Sequence, residues 1–169
     1  EQFARSQGGY WFNFNGTAGV WRRAALEDAG GWTADTLTED LDLSYRAFLR
    51  GWRAAYLRDV EAPSELPASF SAYRRQQHRW ARGSLECAHK LLPRVWSAPV
   101  ALPQKIEATL HLTGYGVHLL MGMLAVLYPA ILIVLLRHPA LGTAFGVAAI
   151  FNVTAFAPFI FFVLAQQQL

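Results

Sequence analysis

The sequence predicts an α/β polar part followed by a membrane-surface segment and a transmembrane α-helical hairpin. Its charges are unevenly distributed, since Arg137 is the only Lys, Arg, Asp or Glu between residues 108 and 169. Strand-like and helix-like patterns alternate along residues 1–84, as in an α/β domain. Two apolar runs then follow, and each exceeds the roughly 20 residues that a helix needs to cross a bilayer.

Short strands and a helix are predicted at the start of the polar part. The aromatic segment 10–14, "YWFNF", is strand-like, and "NGT" at 15–17 signals a turn. Apolar residues at helical spacing follow, and Gly30-Gly31 ends that helix. Residues 53–57, "RAAYL", predict a second short strand.

The clearest helix lies between Thr38 and Gly51. Thr38 is a good N-cap, because its hydroxyl can accept a hydrogen bond from a free backbone N–H. Glu39, Asp40 and Asp42 occupy the first turn, where the helix dipole favours negative charge, and Gly51 is a typical C-terminal glycine. The apolar stripe of this helix consists of Leu41, Tyr45, Phe48 and Leu49.

A further helix is expected to start near Pro67, and a separate one at residues 85–96. The second mixes basic and apolar residues, as a helix lying on a membrane surface does. These patterns place the polar domain at residues 1–84 and an interfacial amphipathic segment at 85–107. The helix that starts near Pro67 carries Phe70, Tyr73, Gln77 and Trp80 along one side.

The apolar runs predict membrane spans at residues 108–136 and 140–165, joined by a short turn at Arg137-His138-Pro139. Glycine and proline are tolerated inside such spans. Of the 15 basic residues, 14 precede the first span, so the positive-inside rule places the polar part in the cytoplasm. A buried helical hairpin of a soluble protein is the alternative, which two uncharged runs of this length disfavour.

Composition and the chain ends restrict the interpretation further. The net charge of +3 is too small to indicate nucleic-acid binding, and a single cysteine, Cys87, allows no internal disulfide. The chain starts at Glu1 without a signal peptide and stops directly after an apolar run. We therefore interpret it as a piece of a longer protein, with a complete small protein as the alternative.

One polar cluster lies in the helix before the membrane-surface segment. Gln76, Arg79 and Trp80 are spaced at i, i+3 and i+4 and so share one helix face. A guanidinium can bind a diphosphate through two hydrogen bonds, an amide can bind a phosphate or hydroxyl, and an indole offers a flat surface to a sugar ring. The set suits a nucleotide-sugar and its acceptor. A solvated face with an interfacial tryptophan is the alternative.

Thr38, Glu39 and Asp40 form the second polar cluster. A carboxylate here can take a proton from an attacking hydroxyl, whereas ordinary capping of a helix is the alternative. Because the helix dipole stabilises negative charge, we expect Asp40 to keep a low pKa. A general base needs a pKa nearer the working pH.

The order of these segments carries a family resemblance. The chain reads "FNFNGTAGVWRRAAL", "GGWTADTLTEDLDLSYRAFLRGWRAAYL", "SELPASFSAYRRQQHRWARGS" and then the spans. This order resembles the membrane-embedded, processive branch of glycosyltransferase family 2, which includes cellulose, mannan, chitin and hyaluronan synthases. The pair of motifs T-E-D and Q-x-x-R-W is the most specific feature of this resemblance. The sequence looks most like the cellulose-synthase-like group that makes mannan and glucomannan backbones, together with its bacterial relatives. The resemblance implies that the polar part is the C-terminal half of a GT-A-type domain.

The resemblance implies a role for each motif position. Asp40 matches the general base that deprotonates the acceptor hydroxyl as it attacks the anomeric carbon of the donor, with inversion. Thr38 and Glu39 would support that base. Gln76 and Arg79 match residues at the donor diphosphate. The implied acceptor-binding residues are Trp80, Phe14, Asn15, Gly16 and Thr17.

The resemblance also implies partners and a location. The expected partners are a nucleotide-sugar donor (UDP-glucose or GDP-mannose), a growing β-glycan, the lipid bilayer, and a homo-oligomer or export-complex subunits. The protein would be integral to the plasma membrane, or the bacterial inner membrane, with its catalytic part cytoplasmic. The divalent metal of the full-length enzyme, Mg²⁺ or Mn²⁺, would have its ligands outside this chain. Asp40-Leu41-Asp42 fits the letters of the family's D-x-D metal motif but belongs to the T-E-D helix.

Two other function classes stay open. One is a non-processive family 2 transferase that adds a single sugar to a lipid or oligosaccharide. The other is a non-catalytic membrane module, such as a scaffold in a polysaccharide-export complex. The chain alone is expected to be inactive, because the half that binds the nucleobase and the metal is not part of it.

Overall fold

The structure is a computed structural model that describes residues 2–138 and 141–142. Helix α3 packs against α2 and α4, and α4 also packs against α5. The helices are α1 (Gln2–Gln7), α2 (Arg23–Asp28), α3 (Glu39–Leu49), α4 (Phe70–Ser97), α5 (Leu102–Leu112) and α6 (Gly116–Arg137).

The two predicted strands do not form within the described residues, so the α/β character expected from them is not seen there. Residues 10–14 and 53–57 lie outside regular secondary structure. The first segment bonds to side chains instead of to a neighbouring strand. The carbonyl oxygen of Trp11 accepts from Arg5 Nε at 2.9 Å, and Phe14 N donates to Ser44 Oγ at 2.9 Å. A strand forms when its backbone groups pair with those of a second strand. The side-chain pattern of one segment does not specify whether such a second strand lies beside it.

Helix α3 agrees with its sequence prediction except at the N-cap. Thr38 occupies the N-cap position, but its side chain forms no capping hydrogen bond. The Thr38 hydroxyl lies 3.4 Å from Sγ of Cys87 in α4 instead, because Thr38 is buried against that helix. Gly51 follows the C-terminus with φ 89°, the left-handed conformation that commonly ends a helix.

The core is built around α3, in which every residue from 41 to 47 is buried. Leu41 and Tyr45 join an apolar cluster with residues of α4 and α5. Leu43 and Ala47 lie in a second cluster with the chain after α2. Helix α3 is therefore packed on two sides, and the first turn of α3 is fixed in position by the rest of the helix.

The two helices predicted at 67–80 and 85–96 are one continuous helix, α4. Ser69 caps its start by accepting from Ala72 N at 3.2 Å. One face of the second half packs on the core, because its small and apolar residues form one stripe. The boundary predicted between residues 84 and 85 thus falls inside a helix, and the division into domains stays a prediction. The buried stripe consists of Gly83, Ser84, Cys87, Ala88, Leu91 and Val95.

The span predicted at residues 108–136 is divided between two helices. Ala108 and Leu112 belong to α5 and are fully buried in the core, and the chain turns at residues 113–115. Helix α6 has 22 residues and a mean hydropathy of 2.7 in its most apolar window, so it is long and apolar enough to cross a membrane. The helix that could cross a membrane is thus shorter than the apolar run, because the first part of that run packs against α4. The second predicted span, 140–165, and with it the hairpin, lies outside the described residues apart from 141–142.

Candidate active site

Asp40 is half-buried in the first turn of α3. Its Oδ1 accepts a hydrogen bond from Leu41 N at 2.8 Å. Burial raises the pKa of Asp40 above its ordinary value and the negative charge of Glu39 acts the same way, whereas the Leu41 N–H and the positive charge of Arg79 oppose this. The low pKa expected for Asp40 is therefore wrong, because desolvation outweighs the Leu41 N–H hydrogen bond and the charge of Arg79. A raised pKa brings the carboxylate nearer the range in which a general base works.

The loop at residues 14–17 approaches the Asp40 carboxylate. Gly16 has φ 67°, and a Cβ added there would lie 3.8 Å from Asp40 Oδ2. Ser44 fixes this approach, because its Oγ accepts from Phe14 N at 2.9 Å and donates to Asp40 O at 2.6 Å. The structure thus places the predicted acceptor loop next to the predicted base. The exposed members of the loop are Asn15, Gly16 and Thr17.

The start of α3 is joined to α4 by close backbone contact. A Cβ on Gly83 would lie 2.6 Å from Thr38 Cγ2 and 2.8 Å from Thr38 N, so only glycine allows this approach. Cys87 Sγ lies 3.7 Å from the Thr38 carbonyl oxygen, and Leu37 N donates to Glu86 Oε2 at 3.0 Å. Thr38 therefore anchors the start of α3 to α4, while its support of a catalytic base stays a prediction.

The three Q-x-x-R-W residues lie on α4, before Gly83. Gln76 is half-buried, Arg79 is exposed, and Trp80 is 40% exposed. Arg79 is close enough to Asp40 for its charge to lower the pKa of that carboxyl. In the described part of the chain, neither Gln76 nor Trp80 forms a hydrogen bond with Asp40. The structure therefore brings Arg79 towards Asp40, while the roles of Gln76 and Trp80 stay predictions.

The second aspartate of the D-x-D letters is part of a structural ion network. Asp42 is fully buried, 2.7 Å from Arg46 Nε and 2.8 Å from Lys90 Nζ. Arg46 also donates to the carbonyl oxygens of Ala29 and Gly31. The network therefore joins α3 to two partners, which are α4 and the segment that follows α2. No three His, Cys, Asp or Glu residues converge as metal ligands among residues 2–138 and 141–142. Asp42, which is paired with two cations, is therefore not available as a metal ligand here.

Sequence reasoning missed two residues that shape this site, Ser44 and Gly83. Ser44 lies four residues after Asp40, a spacing that places a helical hydroxyl below the Asp40 carbonyl. Gly83 is a glycine inside a helical pattern, which often marks a close approach. Both features are visible in the sequence, but neither shows which distant residue is contacted, Phe14 by Ser44 and Thr38 by Gly83.

Comparison with known proteins identifies the family of the chain. The family model of glycosyl transferase family group 2 matches residues 2–165. The probable glucomannan 4-beta-mannosyltransferase 11 of Oryza sativa subsp. japonica is 53% identical over 92 residues, which are 54% of this chain and 16% of that protein. The probable glucomannan 4-beta-mannosyltransferase 3 of Arabidopsis thaliana is 56% identical over 80 residues, 47% of this chain and 14% of that protein.

The chain thus matches only a small part of the length of these relatives. No solved structure matches it. The family match, in contrast, covers almost all of the chain, which confirms the resemblance carried by the T-E-D and Q-x-x-R-W motifs. The chain belongs to glycosyl transferase family group 2.

Proposed function

We propose that the whole protein transfers a hexose, with inversion, from a nucleotide-sugar to a growing β-glycan at the cytoplasmic face of the membrane. One observation carries the proposal. The half-buried Asp40 lies beside the Gly16 loop and within electrostatic reach of Arg79. Both relatives are named as probable glucomannan 4-beta-mannosyltransferases. These names favour GDP-mannose over UDP-glucose as the donor.

Asp40 acts as the general base in this proposal. Its Oδ2 faces the Gly16 loop, where an acceptor hydroxyl would lie. As the hydroxyl oxygen bonds to the anomeric carbon, its proton passes to Asp40 and the bond from that carbon to the diphosphate breaks. Glu39 supports the base by helping to raise the Asp40 pKa, and Thr38 supports it by anchoring α3.

Arg79 and Gln76 bind the donor diphosphate. A guanidinium can form two charge-assisted hydrogen bonds with phosphate oxygens, and its fixed charge stabilises the leaving nucleoside diphosphate. Arg79 is exposed and so can meet such a ligand. A divalent metal would share this task, with ligands outside the described residues.

The acceptor glycan lies against Trp80 and residues 14–17. The Trp80 indole is 40% exposed, and an exposed aromatic face packs well against the apolar face of a sugar ring. Helix α6 follows in the chain, and its length and composition suit a membrane span. This arrangement suits an integral membrane enzyme of the plasma membrane, or bacterial inner membrane, that passes its product to the bilayer.

The test compares both donors in membranes that contain the full-length protein. We expect labelled polymer from GDP-mannose, and at least about a tenfold loss of rate in Arg79→Ala, because a charge that stabilises the leaving group is removed. Arg94→Ala, an exposed arginine later in α4, is the matched control and should keep the wild-type rate.

Each other outcome contradicts a part of the proposal. Polymer from UDP-glucose alone would overturn the donor assignment. A product with one added sugar would support the non-processive alternative. No transfer from either donor would favour a non-catalytic membrane module.

A further inference from the structure

A buried tyrosine–histidine pair joins the helix of Asp40 to the helix that precedes the apolar span. Tyr45 lies in α3, a little more than one turn after Asp40, and has no exposed surface. Its hydroxyl is 2.7 Å from Nδ1 of His111 in α5. The hydroxyl donates this hydrogen bond when Nδ1 carries no proton.

Polar and aromatic contacts fix the surroundings of Tyr45. Trp11 packs edge-on against the Tyr45 ring, with 5.7 Å between centroids. The Trp11 carbonyl oxygen accepts from Arg5 Nε at 2.9 Å, and Arg5 also pairs with Glu107 of α5 at 2.5 Å. Helices α1, α3 and α5 are thus linked by directional contacts around one apolar cluster.

Both members of the pair are uncharged near neutral pH. Burial lowers the pKa of His111 to about 4, and the positive charge of Arg5 acts in the same direction. Burial also raises the pKa of Tyr45 well above its ordinary value. A buried group that loses a hydrogen-bond partner is penalised, so the pair favours one relative position of α3 and α5.

We propose that Tyr45 and His111 are positioning residues for Asp40. Their hydrogen bond sets the position of α3 against α5 and thereby keeps the Asp40 carboxylate beside the loop at residues 14–17. Apolar packing tolerates small sliding movements, whereas a hydrogen bond has a narrow range of distance and angle. This inference rests on the proposed function, because it concerns the base of that reaction.

The test uses Tyr45→Phe in the full-length protein. We expect kcat to fall about tenfold, because a base displaced by a fraction of an ångström reacts more slowly. The KM for the donor should change less than about twofold, because the proposed diphosphate site lies on α4. The matched control is Tyr56→Phe, since Tyr56 is exposed and its hydroxyl forms no hydrogen bond in the described residues.

Variants at His111 separate positioning from stability. His111→Asn can still accept from Tyr45 and should keep most of kcat. The double variant Tyr45→Phe with His111→Phe removes both members of the pair, so neither is left buried without the other. Its thermal stability should therefore recover while kcat stays low. Recovery of kcat together with stability would overturn the proposal, as would a wild-type kcat in Tyr45→Phe.

A second readout does not depend on sugar transfer. Cys87 contacts Thr38 at the start of α3 and lies in the same apolar cluster as Tyr45. Alkylation of the Cys87 peptide, followed by mass spectrometry, should be about tenfold faster in Tyr45→Phe, because local opening becomes easier. If the wild type transfers no sugar, the proposed function fails, and labelling then decides only whether the Tyr45–His111 hydrogen bond fixes α3. Unchanged labelling would then overturn the positioning role of Tyr45.

Discussion

Replacement of Gly83 by alanine should force the two motif-bearing helices apart. The added Cβ would lie 2.6 Å from Thr38 Cγ2 and 2.8 Å from Thr38 N, whereas ordinary contacts begin at 3.4 Å. Helices α3 and α4 would therefore separate by about 0.6 to 0.8 Å, because a backbone atom cannot rotate away as a side chain does. Overpacking of this kind typically costs ~1–3 kcal/mol.

The loss of activity should exceed what the loss of stability explains. The separation moves Asp40 on α3 relative to Arg79 on α4, and a misplacement of about 1 Å can cost ~10²-fold in rate. We expect a tenfold to hundredfold fall, on the order of that estimate, in the initial rate of labelled sugar incorporation by membranes with matched protein amounts. The thermal unfolding temperature of the detergent-solubilised protein should also fall.

A matched glycine controls for the substitution itself. Gly122 lies inside α6, and a Cβ added there meets no atom of residues 2–138 and 141–142 within 4 Å. Gly122→Ala should therefore keep the wild-type rate and stability. A Gly83→Ala variant with wild-type rate and unfolding temperature would refute the close contact of α3 with α4.

Three further predictions concern the buried polar groups. Asp42→Ala should destabilise the protein by roughly 3–5 kcal/mol, because the buried Arg46 loses its carboxylate partner; an unchanged unfolding temperature would contradict the ion network with Lys90. His111 has a folded-state pKa of about 4, below the value near 6.5 expected when unfolded, so stability should fall by up to about 3 kcal/mol as the pH decreases from 6.5 to 4. Thermal melts at several pH values would show this loss in the wild type, and its persistence in His111→Asn would contradict the assignment. Burial also raises the pKa of Cys87 and shields its thiol, so iodoacetamide should label the folded protein slowly. Rapid labelling of the folded protein would contradict the burial of Cys87.

Local sequence patterns predicted the helices that carry the site. Thr38 and Gly51 mark the limits of α3 to within about a residue, although the Thr38 side chain forms no capping hydrogen bond. The face shared by Gln76, Arg79 and Trp80 follows from helix geometry alone. The family could also be predicted, since its motifs are short and their order is distinctive.

The errors arose where a distant part of the chain decides the outcome. Residues 10–14 have a strand-like pattern, but a strand needs a partner that the pattern does not specify. Ala108 and Leu112 are as apolar as residues in a span, and composition does not distinguish burial in protein from burial in lipid. The predicted pKa of Asp40 was too low for the same reason. A helix start is visible in the local sequence, whereas the burial that raises the pKa depends on the tertiary fold.

The most direct test of the central claim is the rate of sugar transfer by Asp40→Asn in the full-length protein, with Asp59→Asn as the control. Asp59 is exposed on a turn and its replacement should have no effect. Loss of a general base should lower the rate by about 10²–10⁴-fold, while inhibition by the product nucleoside diphosphate stays unchanged because Gln76 and Arg79 remain. Transfer at the wild-type rate by Asp40→Asn would contradict the assignment of this residue as the base.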